Sequence, residues 1–381
     1  MEVSRLNSIN PFKVGRFIAE EYFCDRDNET AMLIKHIANG RNVALISPRR
    51  LGKSGLIGHL FQQPEIARNY YTFYIDIYST QSVGELVYAW SKELHNKLQP
   101  LETPWTEQFF KIITSLRVGF KLDNITGEPV FDLGLGDIKK PDVTLDEIFA
   151  FMESADKPCL VAIDEFQQIA EYGDKGIDAA LRSKIQQCQN TSFIFAGSKR
   201  HVMSMMFNSP KKPFYQSAIS MGLDPIPEDT YVEFAASLFK RYGRSVDIDA
   251  VQTVYRTFDG VSWFVQMVMN ELFALTPSGE HCTGKDVPEA IKNVVLSQEV
   301  QYKEILSMIP PKQKQVLQAI AREGRASGIT SAMFIRKYQL PSASSIQSAV
   351  KGLMEKEILT QEEGCYRIYD YFFSYWLAKV F

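Results

Sequence analysis

Cysteine and histidine are scarce in this chain of 381 residues. The five cysteines (Cys24, Cys159, Cys188, Cys282, Cys365) form no C-x-x-C pair, and the five histidines form no H-E-x-x-H. A zinc site held by protein ligands is therefore not expected, and an odd, scattered cysteine set reads as reduced thiols. Long apolar runs are absent too: nothing approaches eighteen consecutive apolar residues, which argues against a membrane-spanning helix. Met1 to Gly15 is polar and lacks the apolar core of a secretory leader, so the cytoplasm is the expected location. Charge of one sign is also lacking. A net charge of -3 excludes a chain-wide affinity for nucleic acid or acidic membranes and leaves room for a local basic face. What is present is ample apolar material, 45% of residues, enough for the packed cores of two or three domains.

The stretch from residue 41 to 60 organises the rest. Val43 to Ile46 is a short apolar run suited to a buried strand, and Leu56, Ile57 and Leu60 begin a helical spacing. Between them lies Ser47-Pro48-Arg49-Arg50-Leu51-Gly52-Lys53-Ser54, followed by Gly55. This is the Walker A pattern G-x-x-x-x-G-K-[ST] with Ser in the first glycine position. Backbone N–H groups turned inward around phosphate oxygens need a small residue at Gly52. Lys53 would reach the β- and γ-phosphates, and the Ser54 hydroxyl would ligate Mg²⁺. If Ser47 must adopt φ > 0, it costs on the order of 1 kcal/mol relative to Gly.

Downstream elements extend the pattern. Asn28 is placed to cap a helix whose buried stripe is Met32, Leu33, His36 and Ile37. Tyr70 to Ile77 reads as a second strand closing near Asp76, a candidate for the Mg²⁺ water shell. Residues 83–98 and 107–116 read as helices, and alternating runs either side of Asp123-Asn124-Ile125-Thr126-Gly127 as an inserted hairpin near 117–135. Leu145 to Met152 resumes a helix. Cys159 to Ile163 is an apolar strand ending in Asp164-Glu165, the Walker B arrangement. There Asp164 would hold Mg²⁺ through water, and Glu165 would orient and deprotonate an attacking water. A helix from Ile177 to Gln189 leads to Thr191–Gly197, a strand ending at Ser198. Strand, loop, helix, strand, strand-Asp-Glu and strand-Ser build a parallel sheet with ligand at its carboxyl edge.

Past residue 225 only helical periodicities remain. From Pro310-Pro311 the order is three helices (Gln313–Ala321, Ser331–Tyr338, Ser342–Glu355), two short strands turned by Glu362-Glu363-Gly364, and a closing aromatic segment. That is a winged helix. Residues 305–381 hold ten Lys/Arg against six Asp/Glu, hence +4, yet the presumptive reading helix offers Ser344, Ser345, Gln347, Ser348 and Lys351 and no arginine. Protein contact or intramolecular packing is therefore favoured slightly over sequence-specific DNA reading. The expected division is 1–225, an ATPase domain; 226–304, a helical lid; and 305–381, the winged helix.

With these residues in place, the chain resembles the archaeal-type ATPase family, a P-loop group among the STAND/AAA+ relatives, over roughly residues 10–380. Cys24-Asp25-Arg26-Asp27-Asn28-Glu29 is similar to its Gly-Arg-x-x-Glu box beside the adenine, with Asp25 in the place of Gly. The loop at 47–54, Ile163-Asp164-Glu165-Phe166-Gln167 and Phe195-Ala196-Gly197-Ser198 resemble its other motifs. Phe258-Asp259-Gly260-Val261-Ser262 resembles the lid's Gly-x-Pro turn, with Ser262 where Pro is usual. The resemblance implies an α/β P-loop NTPase fold, a parallel sheet of AAA+/STAND type with helical lid and C-terminal winged helix, and no nuclease. It implies ATP and Mg²⁺ as cofactors, Arg26 and the loop 47–55 as nucleotide-binding, Ser54 and Asp164 at the metal, and Lys53, Glu165 and Ser198 as catalytic, Ser198 sensing the γ-phosphate. Arg49 and Arg50 are candidates for phosphate or a neighbouring subunit, and Arg182 and Arg200 for arginine fingers. The function expected is a slow ATPase acting as a nucleotide-dependent switch, with a protein partner and, as a homo-oligomer, a second copy. The rivals are a winged-helix DNA-binding protein similar to archaeal replication initiators, its nucleotide structural, and an ATP-binding scaffold without turnover.

Overall fold

Val43-Ala44-Leu45-Ile46 forms strand β1, and its first three residues are wholly buried, as the run of four apolar side chains between polar neighbours requires. A computed structural model describes residues 10–15, 18–98, 105, 120–122, 129–131, 141–174, 176–362 and 364–380. These fall into two compact units, one spanning Gly15–Ile226, the other Pro227–Phe381 with Met1–Val14.

The first unit is built on a five-stranded sheet. Its members are β1, β2 (Tyr71–Asp76), β5 (Cys159–Asp164), β6 (Thr191–Gly197) and β7 (Ile219–Gly222). Their spatial order is β2-β5-β6-β1-β7, and every pairing is parallel. The register sets Asp76 beside Asp164 and Ile46 beside Gly197. Residues that end separate apolar runs in the sequence thus meet along one carboxyl edge. Helices Lys53–Gln62, Val83–Leu98, Pro141–Glu153, Ile177–Gln187 and Arg200–Asn208 supply the intervening crossovers.

The core of this unit is aromatic. Trp90 and Phe149 pack edge-on and stacked against Phe193, and Phe166, Phe195, Phe207 and Phe214 form a continuous cluster with ring centroids 4.6–5.8 Å apart. Met203 and Met206 are buried against it, whereas Met205, on the far side of the same helix, is exposed.

The structure corrects several expectations. Strand β7 was not anticipated because Ile219-Ser220-Met221-Gly222 buries only Met221, so no apolar run announces an edge strand. Asn28 does not cap the first helix: it spans Asp27–Ala38 and its N-cap is Arg26, in the left-handed region at φ 79. The buried face is Thr30, Leu33 and Ile37, with Met32 exposed. Strands β3 (Phe120–Leu122) and β4 (Pro129–Phe131) pair antiparallel in a small sheet of their own, while the turn between them and the helix expected at 107–116 lie outside the described residues.

In the second unit, helices Glu228–Arg241, Ile248–Thr257, Ser262–Leu275 and Val287–Ser297 pack around Phe239, Phe264, Val268 and Leu272. Phe12 of the entry segment is fully buried there, its ring 5.6 Å from Phe239 and 5.9 Å from Phe273. The helical reading of this region missed a two-residue parallel pair, β8 (Ser245–Val246) with β9 (His281–Cys282), too short for periodicity to reveal. Helices Pro311–Glu323, Ala332–Tyr338 and Ala343–Glu355 follow, the last two capped by Ser331 and Ser342 through hydrogen bonds to Phe334 and Ser345 backbone N–H groups. β10 (Leu359–Glu362) and β11 (Cys365–Ile368) form the antiparallel wing, and helix Tyr371–Val380 closes the chain's described part.

Candidate functional site

The loop between β1 and helix Lys53–Gln62 departs from the expected strain pattern. Ser47 is fully buried and is not a left-handed residue; its backbone N–H donates to the Gly197 carbonyl at 3.2 Å, continuing the β1–β6 ladder. The left-handed positions are Arg50 at φ 70 and Gly52 at φ 95. Serine in the first glycine position therefore carries no positive-φ cost. Gly52 serves where glycine is needed, immediately before the helix.

Lys53 opens that helix and is buried, its Nζ 3.3 Å from the Ser47 carbonyl. Burial pushes its pKa below the ordinary lysine value, Arg49 adds to the effect, and Asp164 and Glu165 act in opposition. Such an ammonium, costly to keep charged, suits a polyanion brought alongside it. Ser54 Oγ donates to Asp164 Oδ2 at 2.8 Å. The same oxygen accepts from the buried Tyr74 hydroxyl on β2, and Asp164 Oδ1 accepts the Glu165 backbone N–H at 2.9 Å.

Glu165 leaves β5 in the left-handed region, φ 57. Its Oε2 accepts from Ser198 Oγ at 2.6 Å and from the Gln167 amide, while Gln167 Oε1 receives the Ser198 backbone N–H at 3.2 Å. Glu165, Gln167 and Ser198 are thus one hydrogen-bonded group spanning the ends of β5 and β6. Gly197 makes room for it: a Cβ there would stand 2.6 Å from Gln167 Oε1 and 2.5 Å from Met203 Sδ.

Arg26 is buried and spends its guanidinium on protein oxygens: Glu29 Oε1 at 2.5 Å, the Asp224 carbonyl at 2.7 Å and the Leu51 carbonyl at 3.5 Å. Asp25, preceding it, is left-handed at φ 56, a conformation glycine adopts freely and aspartate tolerates. Pro48, Arg49 and Arg50 are half-buried, Leu51 and Gly55 buried; the Arg49 guanidinium lies 5.5 Å over the Tyr78 ring. Arg182 is half-buried on helix Ile177–Gln187, and Arg200 is exposed at the start of its helix. Asp76 is exposed and accepts the Tyr78 backbone N–H at 2.9 Å, capping its own turn.

The structure therefore brings together Lys53, Ser54, Asp164, Glu165 and Ser198. Sequence reasoning gave Tyr74 and Gln167 no role. Tyr74 had a signal, since it sits two residues before Asp76 on a strand whose same-face partners end at Asp164. Among the described residues no group of three or more His, Cys, Asp and Glu side chains is placed to hold a metal ion, so a cation here would rest on Ser54, Asp164 and water. Also among the described residues, no helix is long and apolar enough to cross a membrane.

Comparison with known proteins agrees with this architecture. The family model described as a probable winged helix domain matches residues 300–379. No curated protein matches the chain. Among solved structures, the Walker-type ATPase PABY2304 of Pyrococcus abyssi is similar at TM-score 0.61 and 20% identity, covering 96% of this chain and 99% of that one. ORC2 of Aeropyrum pernix, in its ADPNP-ADP complexes, is similar at TM-score 0.59 and 10% identity over 97% and 96% of the two chains. ORC1 of the same organism, in complex with DNA, gives TM-score 0.52 and 11% identity over 94% and 93%. These likenesses show the fold alone: an α/β architecture with a parallel sheet and surrounding helices, followed by a C-terminal winged helix.

Proposed function

We propose that the chain is an ATP-binding protein and slow ATPase of the archaeal-type, STAND-related kind, whose nucleotide state switches the activity of its C-terminal unit. The observation that carries this reading is the Ser54–Asp164 hydrogen bond, 2.8 Å long, beside a buried Lys53. A hydroxyl and a carboxylate held together next to a buried ammonium are the donor set for Mg²⁺ and a triphosphate. Bound Mg²⁺ would neutralise charge between the β- and γ-phosphates.

The chain's own residues supply the rest. Gly52 lets the loop backbone approach the phosphates, and Lys53 stabilises negative charge on the β- and γ-oxygens. Ser54 and Asp164 would hold the metal. Glu165 accepts the proton of the attacking water as the bond from the terminal phosphorus to its bridging oxygen breaks, leaving ADP and phosphate. Ser198 and Gln167 hold the Glu165 carboxylate through its Oε2, so the base is positioned. Phosphate release by the wild type and by Glu165→Gln tests the assignment: slow turnover abolished in the variant supports it, and equal rates refute it.

DNA binding is the second reading. It is favoured by the +4 balance of residues 305–381 and by the likeness to ORC1, whose structure is a DNA complex. Against it, the exposed face of helix Ala343–Glu355 presents Ser344, Gln347, Ser348 and Lys351, and Lys351 lies 3.9 Å from Glu355. A steep fall of log K with log salt would mark phosphate contacts.

A further inference from the structure

Within the second unit, three donors converge on a single carboxylate oxygen. Asp259 Oδ2 accepts from Arg325 Nη2 at 2.7 Å, Arg367 Nη1 at 3.1 Å and the Tyr371 hydroxyl at 2.6 Å. A carboxylate oxygen has two lone pairs, so this one is oversubscribed. Arg367 has further partners and one orphan: its Nη1 also donates to the Tyr371 hydroxyl, its Nη2 pairs with Glu362 at 2.9 Å, and its Nε is buried with no partner among the described residues. Asp259 itself is a left-handed non-glycine residue at φ 50, in the turn between helices Ile248–Thr257 and Ser262–Leu275. Burial would raise its pKa, but the Tyr371 hydroxyl and the two guanidiniums outweigh that and hold it below the usual carboxylate range.

These groups border an open cleft of about 490 Å³, whose wall continues along Ser374 and Tyr375 of the last helix and carries one further acid, Glu323, itself engaged by Lys337 at 2.7 Å and Tyr338 at 2.6 Å. The volume is that of a small-molecule site. Two guanidiniums and two tyrosines around a cleft, with three donors crowded on the one oxygen Asp259 Oδ2, describe an anion site occupied by the protein's own carboxylate.

We propose that Arg325, Arg367 and Tyr371 form a binding site for a phosphate group, which Asp259 fills as an internal stand-in until a ligand displaces it. Phosphate suits the donor set better than carboxylate, because its additional oxygens separate the donors that now crowd one atom and match guanidinium forks. Displacement frees Asp259 and with it the turn that joins two helices of the lid, so ligand binding and the conformation of that turn are linked and reciprocal. The phosphate could belong to a small phosphate ester or to a nucleic acid backbone; the chemistry of recognition is shared.

The test titrates the full chain with inorganic phosphate by calorimetry, in wild type, Asp259→Asn and Asp259→Asn/Arg325→Gln. Phosphate taken up by the loop at 47–54 contributes equally to all three and cancels in the comparison. Removing the competing carboxylate is expected to tighten binding at one site by about tenfold, since the apparent affinity is no longer divided by the fraction of open site. The Arg325 change should reverse that gain. Arg325 is well exposed, so Arg325→Gln in the wild-type background folds regardless and is expected to lose the phosphate response seen there. A single-stranded oligonucleotide titrated into the same proteins assigns the source: tightening with inorganic phosphate marks a small ligand, and tightening with the oligonucleotide alone marks a nucleic acid backbone. Equal affinities for both probes across all variants would overturn the site.

Discussion

Ser54 and Asp164, 110 positions apart in the chain, meet through a hydrogen bond of 2.8 Å at the carboxyl edge of the sheet. One lies at the start of the helix after β1, the other at the end of β5. Neither strand pairs with the other; β6 lies between them and fixes their separation. The proposed metal site is therefore a property of the sheet order.

Glu165→Gln should bind ATP as well as the wild type and release phosphate at least about a hundredfold more slowly, the usual weight of a general base. Ser198→Ala loosens one of the two side-chain donors on Glu165 Oε2 and should slow turnover by about tenfold with little change in ATP affinity. Single-turnover phosphate release and equilibrium titration separate the two effects. Equal loss in affinity and rate for Ser198→Ala would contradict a positioning role.

Tyr74→Phe removes a hydroxyl that donates to a buried carboxylate. The loss should cost about 1–2 kcal/mol in urea unfolding, because Asp164 keeps its bonds from Ser54 and the Glu165 backbone. The variant should also respond differently to Mg²⁺, as Oδ2 is then shared only with Ser54. An unchanged unfolding midpoint would contradict the bond's contribution.

Lys53 gives a pH prediction. Its folded-state pKa lies below the ordinary value of 10.5, with burial the main cause. Between those two values the unfolded chain holds the proton more tightly than the folded one, so this residue makes stability rise with pH across that window and counts against the fold below it. Lys53→Met should lack that rise and, without nucleotide, melt no lower than the wild type at neutral pH. A clearly lower melting temperature would mean that the ammonium is well compensated.

Arg26 ties Glu29 and the Asp224 carbonyl to the start of helix Asp27–Ala38. Arg26→Ala leaves the Asp224 and Leu51 carbonyls and the Glu29 carboxylate without this donor and should destabilise by about 1–2 kcal/mol in denaturant titration. Loss of ATP affinity with no loss of stability would instead favour a direct nucleotide contact.

Much of the site was legible in the sequence because it sits where apolar runs stop. Asp164 ends a buried strand, Glu165 and Ser198 each follow one, and Gly52-Lys53-Ser54 joins a strand to a helix, so pattern and position coincide. Tyr74 was not legible in the same way: its hydroxyl matters only because β2 and β5 pair in a register that aligns Asp76 with Asp164. Strand β7 escaped because an edge strand with one buried side chain needs no apolar run. Ser47 shows the opposite limit. A sequence pattern suggested strain at that position, whereas the chain places its left-handed residues at Arg50 and Gly52. The cluster on Asp259 draws residues from three distant segments, and spacing along the chain carries no trace of it.

The most direct test of the central claim is a calorimetric titration of the wild type and Lys53→Ala with ATP in the presence of Mg²⁺. The account predicts saturable binding by the wild type, weakened by about a hundredfold or more in the variant, which loses a buried charge partner to the phosphates. No binding by the wild type, or equal binding by both proteins, would contradict it.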